Sequence, residues 1–152
     1  MISVCHIITR LILGGAQENT VLTVRGLHDD DRFEVDLVTG PALGPEGELI
    51  EDAREFGVDP VIIDSMRRDI DPFLDTKAFL ELSGYLSSED YDIVHTHSSK
   101  AGILGRWAAR MNNVPWVFHT IHGLPFHNYQ SWYRYELFRR LEQATGSITH
   151  EI

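Results

Sequence analysis

The sequence predicts a doubly wound α/β domain on a parallel sheet. Three observations predict it. Short β-branched runs alternate with longer stretches of helical period, six of the first against five of the second, and that alternation marks βαβ units with right-handed crossovers. The chain has 152 residues, 43% of them hydrophobic, enough for one buried core and too few for two. No internal repeat, coiled-coil heptad or low-complexity linker divides it.

The elements follow in order. Ile2 to Thr9 is a strand by its Ile and Val content, and Gly14-Gly15 ends the loop behind it. Ala16 to Leu27 is a helix with Ala16, Val21, Leu22, Val24 and Leu27 on one face. After the solvated Asp29-Asp30-Asp31 turn, Phe33 to Thr39 alternates strictly and sets Phe33, Val35, Leu37 and Thr39 to one side. Gly40-Pro41 breaks that strand. Pro45-Glu46-Gly47 then leads into a helix to about Phe56, with Gly57 as its C-cap. Val58 to Asp64 is the third strand. Asp71-Pro72 opens a helix to about Ser88, since proline suits a first helical turn. Tyr91 to Thr96 is a strand, Ser98 or Ser99 caps a helix running to Met111, and Pro115 to Ile121 is a strand again. Gln130 to Gln143 is an aromatic-rich helix, and Gly146 to Ile152 looks like the opening of a sixth strand. The result is a single Rossmann-like domain. A parallel sheet is normally covered on both faces, so a chain that stops inside a strand is expected to be the first part of a longer protein.

Thirteen basic residues stand against 23 acidic ones, a net charge of -10, which repels nucleic acid and anionic membranes as default partners. From residue 100 onward six basic residues face three acidic ones, so an anionic ligand is expected in the second half. The longest apolar runs are a few residues, too short to cross a bilayer. Met1 to Thr9 lacks the basic start of a signal peptide. The single cysteine, Cys5, fits a reducing compartment and reads as a small buried hydrophobe. A cytoplasmic location is expected.

In an open α/β sheet, ligands bind beyond the carboxyl ends of the strands, where strand order reverses. With the first strand beside the fourth, the loops Arg10 to Gln17 and His95 to Gly102 flank one crevice. Gly14-Gly15 permits close backbone approach and positive φ, so that N–H groups line an anion or sugar; the alternative is a plain tight turn. His97-Ser98-Ser99-Lys100 converges hydroxyls, a cation and free helix N–H groups, as a phosphate or polyol site requires; the alternative is a helix cap and a solvated lysine.

His95, His97, His119, His122 and His127 lie close together in the sequence. With no H-E-x-x-H, no cysteine partner and no adjacent carboxylate, no metal site is expected among them. His95 and His119 read as packed strand residues, whereas His97 and His122 sit at strand ends facing the crevice, where a neutral imidazole bonds a hydroxyl. Near the end, Pro125 to Tyr129, Trp132, Tyr133 and Tyr135 stand beside Arg134, Arg139 and Arg140. Tyr133, Leu137, Leu141 and Ala144 then make a core face. Trp132, Tyr135 and Arg139 point elsewhere, with Arg139 able to cover an aromatic ring. Exposed, that stretch would meet a second domain or a lipid-linked headgroup, the one route to peripheral membrane contact.

Taken in order, His6-Ile7-Ile8-Thr9-Arg10, Gly14-Gly15-Ala16-Gln17-Glu18-Asn19, Val38-Thr39-Gly40-Pro41, His95 to Gly102, and His119-Thr120-Ile121-His122-Gly123 resemble the N-terminal domain of GT-B glycosyltransferases of family 4. The resemblance implies the acceptor-side half of a two-domain, metal-independent, retaining enzyme that uses a nucleotide-sugar donor as substrate and needs no cofactor. The acceptor would be a hydroxyl on a saccharide, a lipid-linked sugar or a small molecule. Gly14, Gly15 and Gln17 map onto the family's loop beside the donor diphosphate and acceptor. His97, Ser98, Ser99 and Lys100 map onto the loop that holds acceptor groups. His122 maps onto the catalytic strand-end histidine, flanked by Thr120 and Gly123, with His119 as the competing alignment. The family's C-terminal domain with its paired glutamates does not follow Ile152, so the isolated chain is expected to be inactive. The alternative is a stand-alone nucleotide or sugar-phosphate binding module.

Overall fold

In a computed structural model, residues 1–123 and 131–151 are described, the side chain of Arg134 aside. The elements are β1 (Ile2–Arg10), α1 (Gly15–His28), β2 (Phe33–Gly40), α2 (Ile50–Glu55), β3 (Val61–Ile62), α3 (Pro72–Ser88), β4 (Ile93–His97), α4 (Ser99–Met111), β5 (Trp116–Thr120) and α5 (Trp132–Gly146). The strands form one sheet in the order β3-β2-β1-β4-β5, every pair parallel. Strand order reverses between β1 and β4. The expected Rossmann-like architecture is therefore present, with its switch point where the loops require it. Among the described residues, no helix is long and apolar enough to cross a membrane.

Period-2 alternation in β1 divides the interior into two cores. Cys5 and Ile7 pack with Ala78, Leu82 and Leu86 of α3 and with Ala101, Ala108 and Ala109 of α4. Ile8 packs on the other face with Val35 and Leu37 of β2, Val21 and Val24 of α1, and Ala53 of α2. Cys5 is buried, as expected.

The best-signalled helix ends form as read. Asp71 accepts hydrogen bonds from the Phe73 and Leu74 N–H groups, both at 3.0 Å, and Pro72 takes the first turn. Gly57 ends α2 at φ 98°. There the Val58 N–H bonds the Ala53 carbonyl and the Gly57 N–H bonds that of Arg54, the double closure of a Schellman turn.

Four expectations are corrected. Leu22 is 65% exposed and leaves the apolar face of α1, where Thr20 is buried instead. The helix before Phe56 is shorter than read, starting only at Ile50. The third strand shrinks to Val61–Ile62, paired with Val38 and Thr39, because Pro60 just before it has no N–H to give a ladder. The sixth strand does not form among the described residues: α5 runs on through Gly146, leaving one parallel bridge, Phe118 to Glu151, at the edge of β5.

The start of α4 is set against the sheet by glycine. A Cβ on Gly102 would stand 2.5 Å from the His119 ring, and one on Gly105 would stand 2.7 Å from Thr96 Cγ2. Either methyl would push the helix outward. Arg106, fully buried, then ties α4 to α5 through Glu142 at 2.7 Å and donates to the Gly102 carbonyl at 2.7 Å.

Candidate functional site

The two loops meet at the carboxyl ends of β1 and β4. Thr9 Oγ1 and Ser98 Oγ are hydrogen-bonded at 2.8 Å, and the Ala101 N–H donates to Thr9 Oγ1 at 3.0 Å. Ser98 is not the side-chain cap of α4. Its backbone, at φ 63° and ψ 164°, lies in a region that non-glycine residues rarely occupy, and its hydroxyl turns to Thr9. The capping bond to Ala101 therefore comes from the neighbouring strand.

Beside this junction lies an open cleft of about 750 Å³, lined by Arg10 and Gln17 from one loop and by Ser98, Ser99 and Lys100 from the other. Arg68 and Asp69 close one side, and Phe138 and Leu141 of α5 another. Arg68 was not legible as a site residue, since nothing in its local sequence marks the segment after β3 as part of the rim.

Several candidate groups take roles other than those expected. Lys100 Nζ pairs with Asp75 Oδ1 and donates to the Asp69 carbonyl, so its charge is already met at the wall of the cleft. Gly14 has φ 169°, which is extended backbone, so the Gly-Gly pair does not use positive φ. It begins α1 without a side-chain cap among the described residues, but neither glycine lines the cleft, to which α1 contributes Gln17. The basic excess of the second half is largely spent internally, Arg106 on Glu142 and both Arg139 and Arg140 on Glu136. The expected core face of α5 is not buried: Tyr133 is 60% and Leu137 47% exposed, while Trp132, expected to point elsewhere, is 79% exposed. The residues from Pro125 to Tyr129, His127 included, lie outside the described ones.

Thr120, His122 and Gly123 do not line this cleft. Thr120 and His122 meet the histidines of the sheet instead. His6, His95 and His97 share the face of the sheet that carries Ile8, with His6 opposite His95 and Ile8 opposite His97 in register. His6 Nδ1 and His97 Nε2 are 3.0 Å apart, and His97 Nδ1 and His122 Nε2 are 3.1 Å apart. His97 is thus a buried link, not a crevice-facing group. His95 Nε2 meets Thr120 Oγ1 at 2.8 Å. His119 sits on the opposite face, buried under Gly102 and bonded to Thr96. A Cβ on Gly123 would meet nothing within 4 Å among the described residues.

Burial keeps these rings neutral. It pushes His6 down to about 3 and His95 and His119 to about 4, His119 with help from the Arg106 charge. His97 is lowered further, and His122 is lowered less, also by burial. His6, His95 and His97 each present a ligand atom within 4.8 Å of the others, a trio that the sequence reading did not group because His6 lies far from the others along the chain.

A family model described as a glycosyl transferase 4-like domain matches residues 14–147. The chain is 36% identical over 125 residues, 82% of its length, to an Escherichia coli UDP-Gal:alpha-D-GlcNAc-diphosphoundecaprenol alpha-1,3-galactosyltransferase. It is 25% identical over 80 residues, 53% of its length, to an N,N'-diacetylbacillosaminyl-diphospho-undecaprenol alpha-1,3-N-acetylgalactosaminyltransferase of Campylobacter jejuni. It spans 31% of the first relative and 21% of the second. Among solved structures, Acinetobacter baumannii MurG superposes with a TM-score of 0.68 at 14% identity, covering 99% of this chain and 41% of MurG. A UDP-GlcNAc 2-epimerase from Neisseria meningitidis gives 0.69 at 17% identity, covering 99% of this chain and 39% of that one. At those identities the structures speak for the fold alone.

Proposed function

From the premise that the chain belongs to the glycosyl transferase 4-like domain family, we propose that it is the acceptor-side half of a retaining sugar transferase. The donor is a nucleotide sugar, and the acceptor is a hydroxyl of a lipid-linked saccharide. The observation that carries this reading is the convergence of the β1 and β4 loops on one open cleft at the switch point, the position at which open α/β sheets bind ligands. The activities for which both relatives are named, each transferring a sugar onto a diphosphoundecaprenol-linked one, favour a lipid-linked acceptor.

The chemistry follows from placement and charge. Arg10, Gln17 and Ser99 on the cleft wall bind and orient the ligand. The uncapped N–H groups of the first turn of α1 face the charge that grows on the leaving diphosphate. His122 stands at the end of β5 as a neutral imidazole that bonds a sugar oxygen. A second domain holding the nucleotide closes the other side, which makes an otherwise bimolecular encounter local. Without it the chain binds but does not turn over.

A chimera tests the reading, with this chain replacing the matching segment of the Escherichia coli relative. Galactose transfer from UDP-galactose to the lipid-linked acceptor is expected, with kcat falling roughly 100-fold or more in His122→Ala, and no transfer by the 152-residue chain alone. A His122→Ala chimera that keeps its rate removes the role of His122. Tight UDP binding by the chain alone, with no transfer from the chimera, would favour a stand-alone nucleotide-binding module.

A further inference from the structure

The buried line of imidazoles has a direction. The His6–His97 ring centroids are 5.3 Å apart with planes 15° from parallel, and those of His97 and His122 are 5.4 Å apart at 26°. These separations exceed the N···N distances of 3.0 and 3.1 Å by just two ring radii, about 1.1 Å each, so both bonds are close to straight. The three rings lie end to end, not face to face. Two nitrogens on one tetrahedral ion would stand about 3.3 Å apart and both aim at the ion, whereas those of His6 and His97 aim at each other.

A neutral imidazole carries one N–H, and its position on His6 decides the rest. His6 Nε2 is buried with no partner among the described residues, and the ring is fully buried. Placing the proton there would bury an unsatisfied donor, whereas a bare lone pair is the cheaper orphan. The proton therefore sits on Nδ1, and His6 donates to His97 Nε2. With Nε2 accepting, His97 carries its proton on Nδ1 and donates to His122 Nε2. His122 can then hold its own proton only on Nδ1. His95 walls the line, its ring centroid 4.9 Å from that of His6 and 4.2 Å from that of His97, with its own Nε2 fixed by Thr120.

We propose that His6 and His97 are positioning residues that lock His122 in the Nδ1–H tautomer, so that it meets its ligand as a hydrogen-bond donor and not as a base. That the ligand atom is a sugar oxygen rests on the transferase reading above; the tautomer lock does not. The lock is therefore tested without substrate, by long-range 1H–15N spectra of the histidine-labelled chain near neutral pH. In the wild type, the His122 and His97 nitrogen shifts are expected to report Nδ1–H. In His97→Phe, the His122 shifts are expected to move to the Nε2–H form that a free imidazole favours. In His97→Asn, whose amide nitrogen stands in for Nδ1, they are expected to return. If the phenylalanine variant does not fold, the wild-type spectrum still decides. A His122 that carries its proton on Nε2 in the wild type overturns the proposal, as does one unmoved in His97→Phe. Added zinc that shifts the His6 and His97 nitrogens would replace the lock with a metal site. Failure of transfer in the chimera with the tautomers as stated would count against the transferase reading and leave the lock standing.

Discussion

Thr9 holds the rim together at the scale of single atoms. Its hydroxyl accepts from the Ala101 N–H and shares a bond with Ser98 Oγ, so one β1 side chain both caps α4 and fixes a strained turn. Thr9→Val keeps shape and volume but removes both bonds, and leaves the Ala101 donor buried without a partner. The expected loss is about 1–2 kcal/mol of stability by urea titration, with Thr9→Ser near wild type. A valine variant as stable as the parent would mean that Ala101 finds another acceptor. A sequence reader cannot see this cap: the serines at the helix start are the right residues in the right place, and the capping oxygen comes from 92 positions away. The histidine line is hidden in the same way, because register alone brings His6 beside His95 and His97.

The helices separate what was legible from what was not. Where the signal is local the reading and the fold agree: Asp71-Pro72 starts α3 and Gly57 closes α2, since each carries its own hydrogen-bond chemistry. The order of elements and the pairing of β1 with β4 were legible too, because crossover handedness leaves few topologies. The apolar period of α5 misled because it records where oily residues recur, not whether anything covers them. Arg106 shows the opposite case: in the sequence it only adds to the basic excess of the second half, yet in the fold it is buried with Glu142 against it. Glycine within helices shows how contact, not propensity, sets the cost. Gly102→Ala places a methyl 2.5 Å from His119 and is expected to lower stability by about 1–3 kcal/mol. Gly84→Ala in α3 meets nothing within 4 Å among the described residues and is expected to raise it by about 0.5–1 kcal/mol. Thermal unfolding of the pair checks both signs, and equal shifts would show that α4 does not sit on the sheet through Gly102.

Across the whole molecule, neutral buried imidazoles tie stability to acidity. His6, His95 and His97 titrate well below the ordinary histidine value in the folded chain because burial disfavours the cation, but regain it, near 6.5, once unfolded. Below that value the unfolded chain binds protons that the folded chain refuses, so stability falls as pH falls. Each ring contributes about 1.4 kcal/mol between roughly pH 7.5 and 5.5, and three together about 4 kcal/mol. That is a large share of the roughly 5–15 kcal/mol that holds a domain of this size together. Urea midpoints measured across that window should therefore drop steeply toward the acid side. The slope should shrink in His95→Gln, which removes one titrating ring and keeps a polar side chain beside Thr120. A midpoint that stays level between neutrality and mild acid would mean that protons reach the imidazole line in the folded chain, and that the sheet does not seal it from water.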